Sequence, residues 1–437
     1  MKFVNRFTLG LSILGLLLPL SANATNGLYQ HGYGVRANAM AGAGVALPLD
    51  ALAAATNPAG TVMIGNRKDI GLALFSPQRS YTATGAPSGG FPPLPGPEVD
   101  SESTLFAIPS FGWSKSINDV SAFSLSVYGN GGMNTDWKAS DTPTITTPMG
   151  PAAGTFLAGD AGVDYSQLFI NLNYAGKISE GSSIGISGII NYSQLELKGL
   201  QGFSGFSVDP TKLTNNGKED DIGFGIKIGG LFALTDKLDL GVSYQSEIRN
   251  NLNDYGGLFA NRGDLNIPAT ATIGLGFEIN ERSSIAFDVQ QIFYGNADAI
   301  GNPGTLNPTS GLFACAGGDF TSCLGGSNGA GFGWEDMTIV KLGYQIQTSD
   351  DMIWRFGVSH GDQPIPNNEV TLNIIAPGVV ETHVTAGFSK TLANGNDLSL
   401  ALMYAPEKCV NGPSAFNPGQ TIELCMNQFQ LELGYSW

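Results

Sequence analysis

Charge is scarce in this chain. Only 13% of its 437 residues are Asp, Glu, Lys or Arg, against about 25% in an ordinary soluble protein. What charge exists leans acidic, 37 acidic residues against 21 basic ones. That argues against nucleic-acid binding, which needs a basic stripe. There are three histidines, His31, His360 and His383. Only His383, with Glu381 and Thr385 on one strand face, looks like part of a hydrolase, and no nucleophile motif accompanies it. No nucleotide, phosphate or metal motif occurs. The sequence therefore points to no enzyme, no cofactor and no metal. Past residue 24 no stretch approaches the ~18 apolar residues of a membrane helix.

What is present fits an exported membrane protein without helices. Lys2 and Arg6 precede an apolar run, Leu9 to Leu20, and Ala22-Asn23-Ala24 is a small-x-small cleavage site. Residues 1–24 thus read as a secretory signal peptide. The chain is rich in glycine, 60 residues, and 10% aromatic. Such a composition suits a β-barrel of the bacterial outer membrane.

From Asp69 on, fourteen stretches alternate in the strand pattern. They lie near 69–84, 102–117, 120–132, 164–178, 183–198, 221–234 and 238–250. The rest lie near 267–280, 283–297, 336–348, 352–361, 380–392, 397–408 and 425–437. Ile222, Phe224, Ile226 and Ile228 alternate with Asp221, Gly223, Gly225 and Lys227. Alternation alone suits a soluble sandwich as well as a barrel. Connection lengths decide between them. Links after even-numbered strands are tight, as at Asn118-Asp119 and Glu281-Arg282. Links after odd-numbered strands are long, as at 133–163 and 298–335. Short turns on one side and long loops on the other are the pattern of an outer-membrane barrel. The fold expected is all-β, a fourteen-stranded antiparallel transmembrane barrel over 67–437.

Four cysteines in an oxidising compartment favour pairing, and four allow three connectivities. Cys315–Cys323 and Cys409–Cys425 are the economical pairs, each stapling one outer loop. The chain ends on Trp437, which closes the last alternating strand. A terminal aromatic there resembles the signal read by the outer-membrane assembly machinery, although Phe is commoner.

Residues 25–66 are different. They are Gly- and Ala-rich, nearly uncharged, and follow neither strand nor long-helix periodicity. Such a segment buries too little to fold alone and is too apolar for a solvated tail. It reads as a hatch inside the barrel, or else as the barrel's first strands and turns. Its motifs are Asn26-Gly27-Leu28, His31-Gly32-Tyr33-Gly34, Met40 to Ala46, and Asp50 to Gly60 with Asn57-Pro58-Ala59-Gly60. These resemble the N-terminal hatch of the outer-membrane long-chain fatty acid transporter (FadL) family, which includes aromatic-hydrocarbon uptake channels. The resemblance implies a plugged barrel that captures hydrophobic small molecules at outer loops. It also implies release sideways into outer-membrane lipid, beside a kinked third strand. The hatch residues also make local sense. Asp50 can cap a short helix over 51–56, and Asn57-Pro58 would end it.

Candidate site residues follow. Gly129-Asn130-Gly131-Gly132 in the third strand would allow the kink, or else begin the loop. Leu28 would lie below the binding pocket. Phe203, Phe206, Leu252, Tyr255, Leu258 and Phe259 in the third and fourth long loops offer a capture groove, or else the loops' own core. Strand phase points Lys227, Lys341 and Arg355 inward, to meet a ligand carboxylate or to pair with lumen acids such as Asp239 or Asp288. The competing function is a general porin for polar solutes, against which the apolar plug stands.

The mature protein is expected to begin at Thr25 and to run as a heat-modifiable monomer on gels. Intact mass checks the first point, and retention of Leu9 to Leu20 would overturn the topology.

Overall fold

The computed structural model describes residues 26–85, 92–147, 150–304, 311–417 and 419–437. The signal peptide expected at 1–24 lies outside them. Fourteen antiparallel strands close into one barrel. They are β1 (Arg67–Gly85), β2 (Phe106–Asn118), β3 (Ser121–Trp137), β4 (Ala161–Ser179), β5 (Ser182–Lys198), β6 (Glu219–Thr235) and β7 (Leu238–Gln245). Then follow β8 (Thr270–Asn280), β9 (Ser283–Ile292), β10 (Met337–Ser349), β11 (Met352–Gly361), β12 (Thr382–Thr391), β13 (Asp397–Pro413) and β14 (Gln420–Ser436). Each pairs with the next, and β14 closes on β1 from Asp69–Ser436 to Gly85–Gln420. Closure leaves no free first or last strand, an edge that lipid would not tolerate.

The two faces of the strands are chemically inverted relative to a soluble protein. Outward positions such as Leu72, Ile186, Phe224, Ile226, Phe356 and Leu433 are exposed. Inward positions include Asn171, Ser187, Asn191, Asp288, Arg355 and Glu432, all buried. An exposed apolar band around a polar interior is what a lipid solvent selects. No described helix is long and apolar enough to cross a membrane. The tight turns carry their own caps. Asn118 Oδ1 accepts from the Val120 N–H at 3.0 Å, and Asn280 Oδ1 from the Arg282 N–H at 2.9 Å.

Both expected disulfides are present, Cys315–Cys323 and Cys409–Cys425. The first lies in the loop between β9 and β10. The second does not lie in a loop. β13 and β14 run on to Pro413 and from Gln420, and Cys409 stands opposite Cys425 in their ladder. The turn-forming residues Asn411, Gly412 and Pro413 hid this extension. A bulge between Ala405 and Lys408, at Pro406, absorbs the missing N–H within the ladder. The third strand likewise runs past 132 to Trp137, whereas the seventh and ninth stop earlier than expected, at Gln245 and Ile292.

Residues 26–66 sit inside the barrel as short helices and turns: Val35–Asn38, Ala53–Thr56, the 3₁₀ turn Pro58–Gly60, and Thr61–Ile64. Asp50 accepts from the Leu52 N–H at 2.9 Å, so it shapes a turn and the helix starts two residues later than expected. Asn57 Oδ1 caps the Pro58 turn by accepting from the Ala59 N–H at 3.1 Å. Its Nδ2 donates to Val45 O at 2.7 Å and to Gly230 O on β6 at 3.0 Å. Space for this segment comes from glycine. A Cβ on Gly112, Gly185, Gly229, Gly241, Gly357 or Gly434 would come closer than 3.0 Å to Ala51, Pro58, Asn57, Val45, Met40 or Val35 respectively. Six strands thus surrender their side chains where the plug touches the wall.

Gly185→Val adds bulk against the Pro58 backbone, where a Cβ would stand 2.5 Å from the carbonyl carbon. Overpacking of this kind costs about 1–3 kcal/mol. The expected result is a loosened plug in an intact barrel. Planar-bilayer recordings should show raised conductance while the heat-modifiable band persists. Unchanged conductance would mean the plug does not depend on this contact.

Candidate functional site

The β2–β3 ladder is the irregular part of the wall. It pairs from Asn118–Ser121 up to Ser110–Tyr128 and stops there. The next residue on β2 is Pro109, which has no N–H to offer. The next on β3 is Gly129, followed by a bulge at Asn130 in the β3–β4 ladder. Phe106 to Pro109 still pair with β1, and Gly129 to Trp137 still pair with β4 except at the bulge. Among the described residues no ladder pair or hydrogen bond joins the two strands again until the rim. There Asp136 N–H donates to Ser101 Oγ at 2.9 Å, and Glu102 N–H donates to Asp136 O at 2.9 Å. The wall therefore has a window, bounded below by Ser110 and Tyr128 and above by Ser101, Glu102 and Asp136.

The upper bound is ionic. Lys138 bonds Asp136 at 2.9 Å and lies 3.5 Å from Glu102, and Lys198 reaches Asp136 at 2.8 Å. The hydrogen bond to Asp136 holds the Lys138 ammonium above its ordinary range.

The bulge is docked on the hatch. Gln30 N–H donates to Asn130 O at 2.8 Å, and Tyr33 OH donates to Asn130 Oδ1 at 2.8 Å. Asn130 Nδ2 in turn donates to Gln167 Oε1 at 2.7 Å. Gly131 lies flat against Leu28, whose carbonyl oxygen fills the place a Cβ would take. Leu28 itself is buried, and its N–H donates to Tyr294 OH at 2.8 Å.

Two largely apolar cavities lie on this side of the molecule, and the inner one borders the window at Gly132 to Thr135. The inner one is lined by Gly27, Arg79, Gly132, Met133, Trp334, Pro377 and Met426, among others. The outer one is lined by Leu200, Leu258, Phe259, Leu324, Phe332, Leu372 and Ile375, among others. One segment separates them, since Leu372 and Ile375 face the outer cavity and Ala376 to Gly378 the inner. Two side chains of β3 pin this partition. Thr135 Oγ1 donates to Ile375 O at 2.7 Å, and Trp137 Nε1 to Ile374 O at 3.1 Å.

The loop residues divided. Leu258 and Phe259 line the outer cavity. Phe203 instead packs edge-on against Phe156 at 5.2 Å and tilts against Phe416 at 5.5 Å, and Phe206 flanks Phe416 at 6.2 Å. Tyr255 is buried and donates its OH to Gly217 O at 2.5 Å, and Leu252 is fully buried. Loops this long carry a core of their own.

Two of the three inward cations serve the plug, and Arg355 braces the wall. Lys341 Nζ donates to His31 O at 2.8 Å, and Lys227 Nζ donates to Ala55 O. Both line a polar pocket between hatch and wall with Tyr29, Gln30 and Asp288. Asp288 accepts from the N–H groups of Gly44 at 2.8 Å and Val45 at 3.0 Å. Arg355 donates to Ser389 Oγ at 2.7 Å and Gln345 Oε1 at 3.2 Å. Backbone carbonyls of a charge-poor plug need donors, and the wall supplies them.

His383 lies 3.3 Å from Ser359 Oγ and stacks on His31 of the hatch at 5.6 Å. Glu381 is committed elsewhere, to Lys408 at 2.8 Å, so no acid from that trio orients the imidazole. At the C-terminus Trp437 exchanges backbone bonds with Lys68, whose ammonium sits 5.4 Å over the indole.

Sequence reasoning missed Arg79, Trp334, Met426 and the partition at 372–378. Arg79 was within reach, because it shares the inward phase of Phe75 and Tyr81 while Ile70, Leu72 and Leu74 take the outward one. The partition belongs to a loop, and no periodicity announces it.

Among solved structures, a Pseudomonas aeruginosa FadL homologue matches with TM-score 0.65 at 17% identity, over 94% of this chain and 99% of that one. The Pseudomonas putida toluene transporter TodX matches with TM-score 0.64 at 16% identity, over 94% and 99%. The Ralstonia pickettii toluene transporter TbuX matches with TM-score 0.60 at 16% identity, over 93% and 98%. These likenesses establish the shared fold. No curated protein matches the chain. The model for outer membrane protein transport proteins (OMPP1/FadL/TodX) matches residues 21–410, and the chain belongs to that family of outer-membrane β-barrels.

Proposed function

We propose that this protein is a passive channel for hydrophobic small molecules, long-chain fatty acids or similar lipophiles. Cargo is captured among the outer loops, passes the two apolar cavities, and leaves sideways through the window between β2 and β3 into the membrane. The observation that carries this reading is the interrupted ladder beside an apolar cavity, above a lumen filled by residues 26–66.

The physical argument concerns where an apolar molecule can go. Straight passage would expose it to the aqueous periplasm at about 0.8 kcal/mol per CH₂, prohibitive for a long chain. Sideways release never exposes it. A hole in a barrel wall ordinarily costs unpaired backbone groups in hydrocarbon. Here the β2 edge begins at Pro109, which lacks the N–H, and the β3 edge at Asn130 turns its carbonyl to the hatch. Leu258 and Phe259 give the outer cavity its greasy lining. Trp437, at the end of the closing strand, is the signal offered to the assembly machinery. A porin would need an open polar lumen, which the plug denies.

The test is a block in the window. Gly131 is unsuitable, since any side chain there collides with Leu28. Gly132→Arg is expected to reduce uptake of a labelled long-chain fatty acid by whole cells at least tenfold, while the heat-modifiable barrel persists. Normal uptake by that variant sinks the lateral route.

A further inference from the structure

The partition at 372–378 is backed by a second loop segment, 331–334, and one polar side chain ties the two together. Phe332 of the second segment faces the outer cavity and Trp334 the inner one. Asn373 lies between the segments, fully buried. Its Oδ1 accepts from Trp334 Nε1–H at 2.6 Å, and its Nδ2 donates to Phe332 O at 2.7 Å and to Glu369 O at 2.8 Å. Both ends of the amide are thus used, in two segments whose other side chains are hydrocarbon apart from the indole N–H. The next two residues, Ile374 and Ile375, give their carbonyls to Trp137 and Thr135 of β3. The segments meet again at Gly378, where a Cβ would stand 3.1 Å from the Trp334 ring.

A polar clip in this place needs a reason. A fixed wall between two apolar spaces can be built from packed Leu, Ile and Phe, and burying an amide there carries a desolvation cost that hydrocarbon does not. Packing alone, however, does not hold against an apolar cargo. A hydrocarbon wedged between two apolar side chains replaces the contacts that it breaks. It cannot replace a hydrogen bond, and an amide bond broken in apolar surroundings goes unsatisfied. From this arrangement we infer that the partition is an inner door of the channel, with Asn373 as its latch and β3 as its frame. The door keeps the cavities separate until the bonds from Asn373 to Phe332 and Trp334 open together, and cargo then crosses from the outer cavity to the inner. Asn373 is a positioning residue, since it acts on cargo through the two segments that it joins. The bonds from Thr135 and Trp137 hold the shut door to the strand that borders the window. This rests on the reading that cargo passes both cavities.

The experiment takes two measurements on the full mature protein: uptake of a labelled long-chain fatty acid by whole cells, and amide hydrogen exchange of the purified protein in detergent. Asn373→Leu keeps the size of the side chain and removes the latch. Exchange across 372–378 should speed up about tenfold while the barrel strands keep their protection. The initial uptake rate should rise several-fold with the half-saturation concentration unchanged, because capture outside the door is untouched. A residue that served only the core of the loops would give looser loops and uptake that stays level or falls. Either of those uptake results overturns the inference, as does unchanged exchange across 372–378. Thr135→Val, which frees Ile375 O from β3, should raise the uptake rate by a smaller factor. That variant decides the matter if Asn373→Leu gives no heat-modifiable band, and uptake in it at or below the wild-type rate overturns the inference. If wild-type cells take up no label, the transport reading itself fails, a result distinct from an unaltered rate in the variants.

Discussion

Everything in this barrel depends on how closely residues 26–66 can approach the wall. A barrel of fourteen strands encloses more space than its own side chains fill. The plug fills it, but a plug with almost no charge and no long helix has little stability of its own. Its stability comes from contact at backbone distance. Glycines on strand after strand remove the side chains that would hold it off, from Gly112 on β2 round to Gly434 on β14. The remaining inward positions are donors and acceptors, because a short, turn-rich segment leaves many carbonyls and amides unpaired. Lys341, Lys227, Asp288 and Asn173 each satisfy hatch backbone groups.

The same constraint shapes the window. Asn130 leaves the wall because a bulge turns it inward, and hatch atoms receive it there. Gly131 must lack a side chain because Leu28 presses on it. The kink in β3 and the seat of the plug are therefore one structure. Above the kink, the same strand pins the partition between the two apolar cavities through Thr135 and Trp137. A single strand thus touches the plug, the wall opening and the partition. Any movement of one is felt by the others, since packed interiors deform little.

Charge is used in two ways. At the rim, Lys138, Lys198, Asp136 and Glu102 form a partly exposed cluster across the upper bound of the window. Partly exposed pairs of this kind contribute little individually. In the lumen, Lys227, Lys341 and Asp288 bond the hatch backbone and Arg355 bonds side chains of the wall, whereas Nε and Nη1 of Arg79 have no hydrogen-bond partner among the described residues.

The sequence by itself determined the architecture. Strand periodicity, the long–short rhythm of the loops and the two cysteine pairs were all legible, because each is a local pattern whose period the chain must obey. The Gly- and Ala-rich composition of residues 26–66 suits their packing on the lumen wall, and the bulge at Asn130 falls within the glycine cluster of the third strand. The tertiary structure decided the rest. Whether Lys227 or Arg79 meets the cavity is settled by which wall position the plug covers, a contact between residues far apart in the chain. Whether Phe203 lines a groove or packs against Phe156 and Phe416 depends on how three loops fold over one another. The extension of β13 and β14 past their turn-forming residues is a matter of cross-strand pairing, which overrides local propensity when a partner strand is already in place.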